Sequence, residues 1–345
     1  MSTNPYDSPA SDPSVPVAAQ PTMPPGTFRD QSTGLVLFGV LQLLLGGACG
    51  LMTLVTAATL AMPGPGQAPG VNLRMMVPGM AMYVLLGLGF VVLGIGSIRA
   101  RRWAWTLTVV LSWLWLALGV VACGSGVLVV SSMFASMQRQ GGVRPEFLLV
   151  TLLIAGAFAA VIYIGLPGVF LLFYQRASVR ATCEARDPRI PWTDRCPKPV
   201  LALSLLLAFW SVMSLVSTVT SLGVFPMFGV LLSGLPGAAA LLFVALVTAC
   251  LAWGTYRMKP AAWWGTLLLY VAVPLSSWLT FSQVNPLDMY TKMGFSADQL
   301  NILRGSGAFA SWSSMGTWGS LLIGVVGVGY LLCVRSCFDD KGEAS

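Results

Sequence analysis

Eight stretches of this chain each run for roughly twenty residues or more with no charged residue in their interiors, enough for a helix to cross a membrane's hydrocarbon layer. They fall at about 33–60, 77–98, 103–131, 147–174, 198–222, 233–256, 261–281 and 307–334. Only 9% of the 345 residues are charged and 56% are hydrophobic, whereas a soluble domain carries about 25% charged residues. Such a chain cannot furnish an ordinary wetted surface. The expected fold is all-α: a polytopic membrane helix bundle of about eight transmembrane helices.

An even number of spans places both termini on one side of the membrane. Fourteen of the nineteen basic residues fall on that side, including Arg99, Arg101, Arg102, six residues between Arg176 and Lys198, Arg257 and Lys259. The other side holds five: Arg74, Arg139, Arg144, Lys292 and Arg304. The positive-inside rule makes the fourteen-residue side cytoplasmic. The net charge of +7 therefore reads as topogenic, with membrane lipids as the partner of the basic segments and no role in nucleic acid binding. Trp103, Trp105, Trp253, Trp263 and Trp264 beside the basic clusters suit headgroup depth.

A shift of 158 residues superposes the second and third spans on the sixth and seventh. Ten identities result across 78–108, among them Pro78-Gly79 on Pro236-Gly237, Gly96 on Gly254, Arg99 on Arg257, Trp105 on Trp263 and Thr108 on Thr266. The first and fifth spans, and the fourth and eighth, match less well. Four spans per unit keeps both units in the same orientation, which implies two parallel four-helix repeats. The domain reading is a disordered tail over 1–30, a first repeat over 31–175, a linker over 176–197, a second repeat over 198–335 and a tail over 336–345.

Within the spans, chemistry is sparse. No Asp, Glu, Lys or Arg falls in a proposed hydrocarbon core, so a proton pump built from buried carboxylates is not expected. Small residues at four-residue spacing, as in Gly316, Ser320 and Gly324, let helix backbones approach in lipid. Pro167 and Pro274 remove amide donors inside spans and predict bends, where a transporter would place a cavity.

The segment from Tyr174 to Pro199 is the most distinctive polar stretch. Prolines at 188, 191, 197 and 199 exclude one continuous helix, so a helical extension to about Ala185 followed by a compact irregular loop is expected. Arg176, Arg180 and Arg186 are candidates for lipid phosphate or a partner's carboxylates, and Trp192 for capping the bundle end or docking a partner. Cys183, Cys196, Cys333 and Cys337 lie near the same face and together could hold zinc, but twelve residues between the first two is not a knuckle spacing. The absence of histidine excludes imidazole-bound haem, copper or zinc, and no cofactor or metal site is expected.

On the opposite face, Asn285-Pro286-Leu287-Asp288 reads as an N-cap, and Ser296-Ala297-Asp298-Gln299 as a capping box, for short helices at 286–293 and 297–304. Met133, Phe134 and Met137 give the segment 131–146 a similar apolar edge. No GxSxG, HExxH or phosphate-loop motif occurs in a supporting context, so the chain does not read as an enzyme. The leading expectation is an integral membrane structural or interaction protein, an accessory subunit of a larger complex, with membrane proteins or a second copy as partner. The alternative is a facilitator or uncoupled transporter of a neutral or amphipathic molecule. The opening MSTNPYDSP resembles short tails on bacterial multipass proteins, which implies a bacterial inner membrane.

Overall fold

The structure, a computed structural model, describes residues 30–61, 73–140, 145–220, 223–295, 297, 300–301 and 308–339. It is mostly helical. In chain order the helices are α1 (Ser32–Ala61), α2 (Leu73–Ile98), α3 (Arg102–Gln140), α4 (Pro145–Ala160), α5 (Leu166–Tyr174), α6 (Ala177–Arg186), α7 (Lys198–Thr220), α8 (Leu235–Tyr256), α9 (Pro260–Gln283), α10 (Pro286–Lys292), α11 (Ala308–Val334) and α12 (Ser336–Asp339). A π turn, Val161–Gly165, joins α4 to α5 without a break.

Seven helical segments among the described residues are long and apolar enough to cross a membrane. They are α1, α2, the first part of α3, the α4–α5 rod, α7, α8 and α9. In α11, a continuous helix, the apolar portion that counts among the described residues is Gly319–Val334, shorter than these seven. Large apolar side chains such as Leu37, Leu172, Val219 and Leu268 point outward, as lipid-facing helices require.

The third helix corrects one expectation. Instead of ending near 131 and giving way to a separate cap, α3 continues to Gln140, so Met133, Phe134 and Met137 belong to the same rod. Their side-chain surroundings, the tail 1–29, the capping box at Ser296 and the tail beyond 339 lie outside the described residues. The cap at Asn285 forms as expected: its side chain accepts from the Leu287 amide at 3.0 Å, with Pro286 in the first turn.

Two tight hairpins organise the bundle, α1 along α2 and α7 along α8, while α3 packs on α5 and α9 on α11. In the first hairpin a Cβ on Gly39 would meet the Gly94 carbonyl at 2.8 Å, and one on Gly46 the Gly87 carbonyl at 3.0 Å. In the second hairpin the corresponding approaches carry hydroxyls. Ser204 donates to the Ala252 carbonyl at 2.9 Å, and Ser211 to the Ala245 carbonyl at 2.8 Å. The α2 and α8 positions are 158 residues apart; the α1 and α7 positions are 165 apart.

The corners after α2 and α8 share their geometry at an offset of 158. Ala100 and Met258 both adopt left-handed backbone, φ 50° and 55°. The Ala100 amide donates to Ser97 O at 2.8 Å and the Arg101 amide to Gly96 O at 2.9 Å; Met258 to Thr255 O and Lys259 to Gly254 O do the same at 2.8 and 3.0 Å. This is a Schellman closure, which satisfies the last helix carbonyls. Trp105 then donates its indole N–H to Tyr174 O at 2.7 Å, and Trp263 to Leu331 O at 3.0 Å.

One element has no counterpart in the sequence reading. β1 (Phe225–Met227) and β2 (Val230–Leu232) pair antiparallel, Phe225 opposite Leu232, around a turn at Phe228 and Gly229 with φ of 43° and 89°. Positive φ at both central residues matches the right-handed strand twist. The tip docks on α9: the Phe228 amide donates to Ser276 Oγ at 2.9 Å and the Gly229 amide to Thr280 Oγ1 at 3.0 Å.

Candidate functional site

The basic residues between α2 and α3 and those of the linker converge at one end of the bundle, where 175–197 folds over the start of α3. The linker leaves α5 at Gln175, turns at Arg176 into α6, and closes with a 3₁₀ turn at Trp192–Asp194. The helical extension thus reaches Arg186, one residue past the expected end, but a bend at Arg176 separates it from the span. Val179, Thr182, Cys183, Thr193 and Cys196 are buried beneath it.

Acidic residues fix this cover. Arg102 Nε lies 2.7 Å from Asp194 Oδ2 and its terminal nitrogen 3.8 Å from Glu184, while Arg101 lies 3.7 Å from Asp187. Arg180 pairs with Glu184 at 2.8 Å across one turn of α6, and Arg186 reaches Asp30 at 3.5 Å. Thr106 and Thr193 both donate to Asp194 Oδ1, at 3.2 and 3.4 Å. Exposed pairs contribute at most about 1 kcal/mol each, so the partly buried Arg102–Asp194 pair with its two hydroxyl donors is the firmest joint. Lys198 sits 4.1 Å from the centre of the Trp105 ring, with Arg180 on the same ring at 5.8 Å.

The cover also reaches the second hairpin. Tyr256 Oη donates to Trp192 O at 3.0 Å and the two rings meet edge to face, 6.2 Å between centres. Arg257 lies over Trp253 at 4.6 Å. Arg99, Arg176 and Lys259 are exposed. Of the residues singled out in the sequence, the structure therefore gives Arg101, Arg102, Arg180, Arg186 and Trp192 partners at the linker, with Arg102 and Arg180 sharing Glu184, and leaves Arg99, Arg176 and Lys259 outside these contacts. Among their partners, Thr106 and the placement of Lys198 on Trp105 were not singled out. The four-residue spacing of Arg102 and Thr106 on one helix face was the available signal.

The cysteines do not assemble. Cys183 and Cys196 are buried, Cys333 is exposed and Cys337 is half-buried, and the described residues contain no group of three or more metal-ligating side chains. Burial pushes the Cys183 thiol up to about 12, with Glu184 adding in the same direction.

The proline and small-residue positions lie inside packed contacts. Pro167 is buried in the first turn of α5, directly after the π turn. Tyr163, four residues before it, presents its carbonyl to Gly119 so closely that a Cβ there would overlap the oxygen. Pro274 is buried within a continuous α9, where a Cβ on Gly324 would meet its ring at 3.0 Å. Gly327 fits in the same way against the Tyr270 ring. Ser320 is half-buried, and the surroundings of Gly316 lie outside the described residues.

Two recesses occur elsewhere. A groove of about 630 Å³ between α1 and α2 is lined by Gly46, Gly50, Tyr83 and Gly87. A smaller hollow of about 420 Å³ lies between the β-hairpin and α10, where Lys292 donates to Leu231 O at 3.0 Å. No protein-family model matches the chain, and neither a curated protein nor a solved structure gives a match.

Proposed function

We propose that this chain is a multipass structural or interaction protein, an accessory subunit that presents the covered basic end of its bundle to a membrane-protein partner or to a second copy. The carrying observation is the tethering of the linker to the start of α3 through Arg102–Asp194 and to the second hairpin through Trp192–Tyr256. A polar segment so firmly fixed, with the Trp192 ring still partly exposed, suits a docking surface better than a plain connection. The packing around Pro167 and Pro274 favours this reading over a facilitator, because Pro274 lies against Gly324 and Pro167 is buried one turn from the close approach of Tyr163 to Gly119. The reading includes no enzymatic reaction.

The architecture we infer is two parallel four-helix halves in a bacterial inner membrane with both termini cytoplasmic. Its support is the paired corners at an offset of 158 and the paired hairpin contacts at 158 and 165. The difference of seven residues explains the weak match between the first and fifth spans: the connection within the second hairpin is shorter by that amount.

Isolation in mild detergent, followed by cross-linking and mass spectrometry, tests the function. A stoichiometric membrane partner or self-association involving Trp192 and α6 is expected. A monomer without reproducible partners overturns it.

A further inference from the structure

The two equivalent corners use their cations differently. At the first, Arg101 and Arg102 are taken up by Asp187, Asp194 and Glu184 of the linker. At the second, Lys259 stands where Arg101 does, and Pro260 replaces Arg102. Arg257 and Lys259 are both exposed, and among the described residues neither has a carboxylate within 4.0 Å.

The aromatic setting differs too. Arg257 lies over Trp253, whereas the residue equivalent to Trp253 at the first corner is Ile95. Trp253 and Trp264 keep 58% and 59% of their surface exposed, and farther along the same helices Leu246 and Leu268 also point outward. A guanidinium held against an indole presents its fork to phosphate oxygens at little entropic cost. Exposed indoles beside an apolar helix face are at home at the membrane interface and unfavourable in water.

We propose that the second corner is a binding site for an anionic phospholipid, with Arg257 and Lys259 holding the phosphate and Trp253 and Trp264 seating the glycerol region above acyl chains on Leu246 and Leu268. The linker's acids close the first corner to the same ligand. The site stands whether or not the chain has a protein partner, since among the described residues neither Arg257 nor Lys259 pairs with an acid of the linker.

Native mass spectrometry of the delipidated full chain in neutral detergent tests this, with palmitoyl-oleoyl phosphatidylglycerol and the matching phosphatidylcholine as probes. Retention of the phosphatidylglycerol in preference to phosphatidylcholine is expected. R257Q and K259Q should each weaken it about fivefold, and the double variant about twentyfold. R99Q should leave it unchanged, all variants having the wild-type melting profile. If an individual variant does not fold, the lipid preference of the wild type and the other single variant carry the test. Equal binding of phosphatidylcholine, an equal loss in R99Q, or displacement of the lipid by millimolar inorganic phosphate overturns the proposal.

Discussion

Gly119 occupies a position that no other residue can fill without moving a helix. Its Cα lies against the Tyr163 carbonyl, next to the π turn that precedes Pro167. Replacing it with Ala puts a methyl group onto a backbone oxygen, an overpacking that costs about 1–3 kcal/mol. Gly124, one turn and a residue farther along α3, has nothing within 4 Å of an added Cβ. Gly119→Ala should therefore lower the melting temperature in detergent, whereas Gly124→Ala should leave it level or raise it through better helix propensity. Equal effects would remove the close approach from the account. None of this was legible in the sequence, which marked Pro167 but could not say which helix faced it. Cys183 makes a second residue-scale prediction. Burial pushes its folded thiol above the ordinary value of 9.0, up to about 12. The neutral thiol's contribution to stability is thus intact below about pH 9 and lost as pH rises through about 12. N-ethylmaleimide at pH 8 should modify exposed Cys333 quickly and Cys183 only after unfolding, because the thiolate is the nucleophile. Rapid labelling of both in the folded protein would contradict the burial.

At the scale of elements, the spans were legible and the hairpin between α7 and α8 was not. Long apolar runs identify a membrane helix without further context. The hairpin is three residues per strand, carries Pro226 in the first of them and turns on Phe228-Gly229, not on Asn-Gly or Asp-Gly. Its stability comes from α9, not from its own pattern, since a two-stranded hairpin alone is marginal. Ser276 and Thr280 lie one helical turn apart and accept the two tip amides. Removing either acceptor takes a partner from a part-buried amide, at a cost of about 1 kcal/mol. The double variant Ser276→Ala, Thr280→Ala should speed amide exchange across 225–232 by tenfold or more while α7 and α8 stay protected. Unchanged exchange would mean that the strand pairing holds the hairpin by itself. The α3 extension was missed for a related reason: Met133, Phe134 and Met137 read as the apolar edge of a separate cap, yet a helix need not break where it leaves the hydrocarbon.

At the scale of the whole molecule, the sequence carried the corners but concealed what joins them. Gly96, Arg99, Trp105 and Thr108 recur at 254, 257, 263 and 266 because each corner repeats one backbone solution and one indole hydrogen bond. The linker network was hidden because six cations and three acids within 176–198 admit many pairings, and only the fold chooses Asp194 for Arg102. The same cations make the orientation testable. The end bearing α6, Arg99, Arg257 and Lys259 carries far more positive charge than the end bearing the β-hairpin and α10, and the positive charge resists translocation. In a cysteine-free background, single cysteines at Arg189 and at Thr291 lie at opposite ends on exposed positions. A membrane-impermeant maleimide added to intact spheroplasts should label Thr291→Cys and spare Arg189→Cys until the membrane is opened. The reverse pattern would invert the bundle and place Arg257, Lys259 and their proposed lipid in the outer leaflet, so the experiment also fixes which leaflet must supply the phospholipid.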